Sequence, residues 1–165
     1  MNIKRMTKHL LLTHWQVNRA FPRQTLIAIK QAIKASETAH IGEIRFAVEG
    51  ALHSTPLLKG QSARERALEV SSQLRIWDTE HNNGVLVYLL LADRQVEIVA
   101  DRGIEAKLDQ AVWSRICRQM QEAFRQGAFE VGVCEGIREI GAQLAMHFPA
   151  AGRADNELPD QPVVL

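Results

Sequence analysis

Asn82-Asn83-Gly84-Val85-Leu86-Val87-Tyr88-Leu89-Leu90-Leu91-Ala92-Asp93-Arg94-Gln95-Val96-Glu97-Ile98-Val99-Ala100-Asp101-Arg102-Gly103-Ile104-Glu105 decides the fold. Val85 to Leu91 is unbroken apolar sequence, rich in β-branched residues and too short to span a bilayer. Such a run suits a strand covered on both faces, in the middle of an α/β sheet. Ala92-Asp93-Arg94 is a short connection, and Gln95 to Ala100 reads as a second strand returning alongside. The polar residues group by topology. Asn82 and Asn83 enter the first strand and Asp101 leaves its antiparallel neighbour, so these positions fall at one sheet edge. Asp93 and Arg94 fall at the other.

Upstream, Glu43 to Glu49 alternates, with Ile44, Phe46 and Val48 on one side and Arg45, Ala47 and Glu49 on the other. This predicts a strand with one face better buried than the other. Gln61-Ser62 opens a helix in which Ala63, Ala67, Val70, Leu74 and Trp77 recur at helical spacing. Strand, helix and apolar strand make a βαβ unit, so the two strands run parallel and the returning hairpin strand makes the sheet mixed.

Around this centre, residues 7 to 20 read as a helix, and residues 23 to 39 as another that ends near Gly42. Residues 50 to 61, with Pro56 and Gly60, read as a long loop. Leu108, Val112, Ile116, Met120 and Phe124 step by four along a helix that stops near Gly127. Val133, Ile137, Ile140 and Leu144 mark the last one. The expected fold class is a three-layer α/β/α sandwich with a small mixed sheet. Three segments are expected: a basic helical segment over 1–22, the α/β domain over 23–149, and an acidic tail over 150–165, disordered or loosely docked.

The totals narrow the function classes. At 165 residues the chain can bury a hydrophobic core of its own. Its apolar and charged fractions, 46% and 24%, are those of an ordinary globular protein. A net charge of +1 offers no field for nucleic acid, and no nucleic-acid partner is expected. Residues 1 to 36 carry Lys4, Arg5, Lys8, Arg19, Arg23, Lys30 and Lys34 with no acid, a solvated face or a weak patch for phosphate, lipid or a protein partner. Cys117 and Cys134 are expected to be reduced and buried. With no apolar stretch long enough for a signal peptide or a membrane helix, a cytoplasmic location is expected. The sequence leaves the oligomeric state open.

Phosphate-binding, dinucleotide-binding, nucleophile-elbow and zinc-protease motifs are all absent from the sequence. The six histidines are scattered; only His81, beside the asparagines, sits near the hairpin's polar margin. There, Gly103 permits a tight turn, free N–H groups at a helix start favour an anion, and Arg102 can fork onto paired oxygens. Asp101 and Glu105, with Asn82 or Asn83, are oxygen donors of the kind Ca²⁺ or Mg²⁺ prefers. The same residues have a structural reading: Asp101 as a helix cap, Arg102 as a carboxylate partner, Asn82-Asn83-Gly84 as turn chemistry.

Asn83-Gly84-Val85-Leu86, Asp93-Arg94, Gly103-Ile104-Glu105 with Leu108, and Phe124-Arg125-Gln126-Gly127 followed by Gly132 together resemble the TPM domain family. The likeness covers roughly residues 35 to 147 and is nearest to a short bacterial branch. It departs at Asp101-Arg102-Gly103-Ile104-Glu105, where the family's Gly-x-Gly-Leu-Glu has lost its first glycine. The resemblance implies an α/β/α sandwich. It also implies one of two functions, since the family includes a thylakoid acid phosphatase linked to photosystem II repair and members that bind Ca²⁺ or another divalent metal. One is a divalent-cation or anion-binding module in protein maintenance or assembly; the other is a metal-dependent phosphomonoesterase. Carried over by position, the functional residues are Asn83, Asp93, Arg94, Asp101 and Glu105. Asp93, Asp101 and Glu105 are then the candidate metal ligands; Asn82, Asn83, Arg94, Arg102 and Gly103 are the candidate contacts to another ligand.

Overall fold

In the computed structural model, residues 3–150 and 156–165 are described. The expected apolar strand is β2 (Gly84–Leu90), and every residue of it is buried. On one side it pairs in parallel with β1 (Glu43–Glu49), Glu43 opposite Gly84 and Glu49 opposite Leu90. On the other it pairs antiparallel with β3 (Gln95–Ala100), Val85 opposite Ala100. The mixed sheet and the senses of its three main strands are as expected.

Helices cover both faces. On one, α3 (Arg23–Ser36), α7 (Gln110–Arg125) and α8 (Phe129–His147) bury Ile29, Ile33, Ile116, Met120, Ile137 and Ile140 against Ile44, Phe46, Val85, Val87 and Ile98. On the other, α4 (Ser54–Leu58) and α5 (Ala63–Gln73) pack Leu57, Ala63, Ala67 and Val70 against Ala47, Leu86, Tyr88 and Leu90. This is the three-layer sandwich. Ser62 caps α5 by accepting from the Glu65 N–H, and Glu65 returns to the Ser62 N–H, a reciprocal box that starts the helix where the sequence placed it.

Several expectations are corrected. The helix expected over 7–20 is two, α1 (Ile3–Leu11) and α2 (His14–Ala20), broken where Thr13 caps the second. The 50–61 loop contains α4. α5 stops before Trp77, which stays half-exposed while Ile76 turns inward. α3 ends at Ser36, so Gly42 does not end it and instead packs against Leu144.

On the N-terminal side of residue 22, Val17 and Phe21 belong to the same core as Phe46. β1 has no open face: Glu43, Arg45 and Glu49 are as buried as their apolar neighbours. Glu49 can be buried because its carboxylate accepts from the Tyr88 hydroxyl at 2.7 Å and takes the Arg66 guanidinium at 2.8 and 3.2 Å. Burial, and next the Glu49 carboxylate, push the Tyr88 hydroxyl above its usual range.

The tail takes the docked alternative. Asp155 lies outside the described residues, but residues 156–165 return to the sheet, and β4 (Val163–Val164) adds in parallel to β1, giving the strand order β3-β2-β1-β4. Leu158 is buried. Glu43 accepts from the backbone N–H groups of Glu157 and Leu158, and Arg45 donates to the Pro159 carbonyl. Beside them, Glu37 accepts from the Ile44 N–H at 2.9 Å.

Burial, assisted by the neighbouring charges of Glu43 and Asp160, raises Glu37 to about 8 despite that hydrogen bond. The sign follows from proton counting. Between the ordinary carboxyl range and pH 8 the folded chain holds a proton that the unfolded chain has released, so stability falls as pH rises through that window. Denaturant midpoints measured from pH 5 to pH 8.5 are expected to decline for the wild type. They should decline less steeply for Glu37→Gln; identical slopes would remove Glu37 from the account.

Candidate functional site

The N-terminal edge of β2 is built by three close approaches. The Asp101 N–H donates to the Gly84 carbonyl at 2.8 Å, the Gly103 N–H to the Asn82 carbonyl at 3.2 Å, and Arg102 Nε to Asn82 Oδ1 at 3.0 Å. Asn82 takes the left-handed backbone, φ 50°, one of the residue types that tolerates it. Gly103 is required for a steric reason. A Cβ there would lie 2.5 Å from the Asn82 carbonyl oxygen and 3.0 Å from that of His81. The edge therefore gathers Asn82, Asn83, Asp101, Arg102 and Gly103 as the topology predicts, with Glu105 one turn beyond Asp101 and exposed.

Each group has a defined task. Asp101 caps the short α6 (Arg102–Glu105), its Oδ1 accepting from the Arg102 N–H at 2.7 Å. The Ile104 and Glu105 N–H groups bond to the Asp101 carbonyl and the Gly103 N–H to Asn82. The donors expected to hold an anion are thus already used, and that part of the sequence expectation loses its physical basis.

Asn83 is 1% exposed. Its main-chain N–H donates to Thr79 Oγ1 at 3.1 Å and its carbonyl accepts from the Glu43 N–H. Its side-chain Nδ2 donates to the Ile41 carbonyl, which fixes the amide so that nitrogen points there and oxygen away. Two buried acceptors are left without a donor, Asn83 Oδ1 and Asp101 Oδ2. A buried oxygen in that state is costly unless a donor or a cation meets it.

Asp93 and Arg94 lie at the opposite end of the hairpin and do not join this group. Asp93 anchors α1: its oxygens meet Arg5 Nε at 2.9 Å and His9 Nε2 at 3.1 Å. His9 Nδ1 accepts from the Leu52 N–H at 3.0 Å, which fixes the ring with Nε2 turned toward Asp93. Nothing in the sequence signals this clamp, because Asp93 lies more than eighty residues from Arg5 and His9. Among the described residues no set of three or more His, Cys, Asp or Glu is gathered to hold a metal. A cation at the Asn83/Asp101 edge would therefore rest on Asp101, Glu105 and amide oxygen, completed by water.

The model of the TPM domain family matches residues 18–143, and the chain belongs to that family. A solved structure, the BA42 protein from the psychrophilic bacterium Bizionia argentinensis, is 30% identical over 86% of this chain and 93% of its own, with a TM-score of 0.76. The N-terminal domain of a protein from P. gingivalis, 21% identical over 75% of this chain and 76% of its own, shares the fold with a TM-score of 0.60. No curated protein matches the chain. No helix among the described residues is long and apolar enough to cross a membrane.

Proposed function

We propose that this TPM domain is a binding module that takes a divalent cation, Ca²⁺ or Mg²⁺, at the Asn83/Asp101 edge. One observation carries the reading: Asn83 Oδ1 and Asp101 Oδ2 are buried acceptors with no donor. Both are hard oxygen ligands of the type these ions select, Glu105 can add a second carboxylate, and Mg²⁺ in particular keeps much of its water when few protein ligands are offered. With so few charged ligands, affinity is expected in the range of weak sites, dissociation constants of roughly 10⁻⁴ to 10⁻³ M. The place of such a module in protein maintenance or assembly would follow from partners that dock on this edge once it is loaded. The other function implied by the resemblance, phosphomonoester hydrolysis, draws on no observation beyond the same cation site.

Thermal unfolding with and without ion tests this. At a concentration ten times the dissociation constant, a native-state ligand adds about 1.4 kcal/mol, worth roughly 4 °C in a chain of this size. The wild type is expected to gain that shift with CaCl₂ or MgCl₂ but not with NaCl at matched ionic strength, and Asp101→Asn is expected to lose it. Equal shifts in wild type and Asp101→Asn would remove the site. In the same preparations, ion-dependent hydrolysis of an aryl phosphate that disappears in Asp101→Asn would favour the enzyme over the module.

A further inference from the structure

The opposite end of the sheet carries a cleft. After β2, Leu91 and Ala92 run into a cleft of about 1000 Å³ whose other walls come from α1, α2 and the start of α8. The cleft thus lies beyond the carboxyl ends of the parallel strands, where open α/β sheets characteristically take ligands. Its volume suits a small molecule.

The lining has two characters. Leu11, Trp15 and Val131 are large apolar side chains left 68%, 65% and 53% exposed. Lys8, Arg19 and Arg94 bring three cations. Of the acids in the wall, Asp93 is paired with Arg5, and Glu130, which accepts from the Thr25 hydroxyl at 2.6 Å, is outnumbered by the three cations. Arg94 sits at φ 50°, a backbone that asparagine or glycine adopts at lower cost. The turn therefore carries an arginine where local conformation favours another residue. α8 starts at this wall with Ala128 in the capping position and no side-chain cap, so its first N–H groups add positive potential on the same side.

We propose that this cleft binds an amphipathic anion: a carboxylate or phosphate head met by Arg94, Lys8 and Arg19, with an apolar body against Leu11, Trp15 and Val131. The site is separate from the Asn83/Asp101 edge and neither depends on the other.

Titration calorimetry of the full chain with monomeric decanoate, decyl phosphate, decyltrimethylammonium and inorganic phosphate tests it. Saturable one-to-one binding of decanoate or decyl phosphate is expected, with the two distinguishing a carboxylate from a phosphate head. Binding is expected to weaken at least tenfold in Arg94→Asn, which removes the cation while suiting the backbone, and in Trp15→Ala. Lys59→Ala, outside the cleft, should leave it unchanged. Absence of saturable binding, equal affinity for decyltrimethylammonium, or an unaltered affinity in Arg94→Asn with an unchanged melting temperature would overturn the proposal. So would association confined to anionic phosphatidylglycerol vesicles, which would make this face a membrane-docking surface instead.

Discussion

Gly84→Ala is expected to destabilise the protein by about 3 kcal/mol, the upper part of the range for overfilling a packed interior. A Cβ at Gly84 would lie 2.0 Å from the Ile76 carbonyl oxygen and 3.0 Å from its carbonyl carbon. Main chain cannot swing aside as the end of a lysine can, and Ile76 is itself only 1% exposed. Relief therefore requires moving either the turn after α5 or the first residue of β2. The second choice also pulls on the Gly84 carbonyl, which receives the Asp101 N–H. Chemical denaturation reads the loss directly. A midpoint within error of the wild type would mean that the 76–84 turn does not lie against the sheet as described.

Glu49→Ala is expected to cost about 3 to 5 kcal/mol, the usual penalty for removing one member of a buried ion pair. Glu49 is 3% exposed and its carboxylate is shared by Arg66 and Tyr88. Its removal leaves the buried Tyr88 hydroxyl without its acceptor and the Arg66 guanidinium with only the exposed Glu69 carboxylate, 3.0 Å from Nη1. Two further variants separate the parts. Tyr88→Phe keeps the ion pair and loses one hydrogen bond, about 1 kcal/mol. Arg66→Leu strands the carboxylate beneath the α5 helix and should approach the Glu49→Ala value. If all three cost alike, the network is not organised around Glu49.

These two sites show what could and could not be read from residues alone. Val85 to Leu91 announced itself because a strand buried on both faces has no need of alternation, and its length excludes a membrane span. Once β1 and β2 were parallel and β3 returned, the meeting of Asn83 with Asp101 followed from chain direction. Glu49 reads as lying on the poorer-covered face because a charge in an alternating strand reads as solvated. Its partners lie 17 and 39 residues away, and no local pattern encodes them.

The tail is hard to read for a similar reason. Asn156, Glu157 and Asp160 suggest a solvated chain, whereas Leu158 is received by Glu43, Pro159 by Arg45, and Val163 and Val164 pair with Ala47 and Val48 of β1. At the site, composition named the oxygen donors. Only the three-dimensional arrangement showed that the helix-start N–H groups were already spent and that two buried oxygens were not.

The measurement that meets the central claim most directly is a ¹⁵N–¹H correlation spectrum of the labelled chain titrated with MgCl₂ and CaCl₂. Saturable shifts are expected at the Asn82 and Asn83 backbone and side-chain amides, at Gly84, and across residues 101–105, while Asp93 and Arg94 stay still. A spectrum in which those signals remain in place, or in which the ion perturbs only the opposite end of the hairpin, would contradict it.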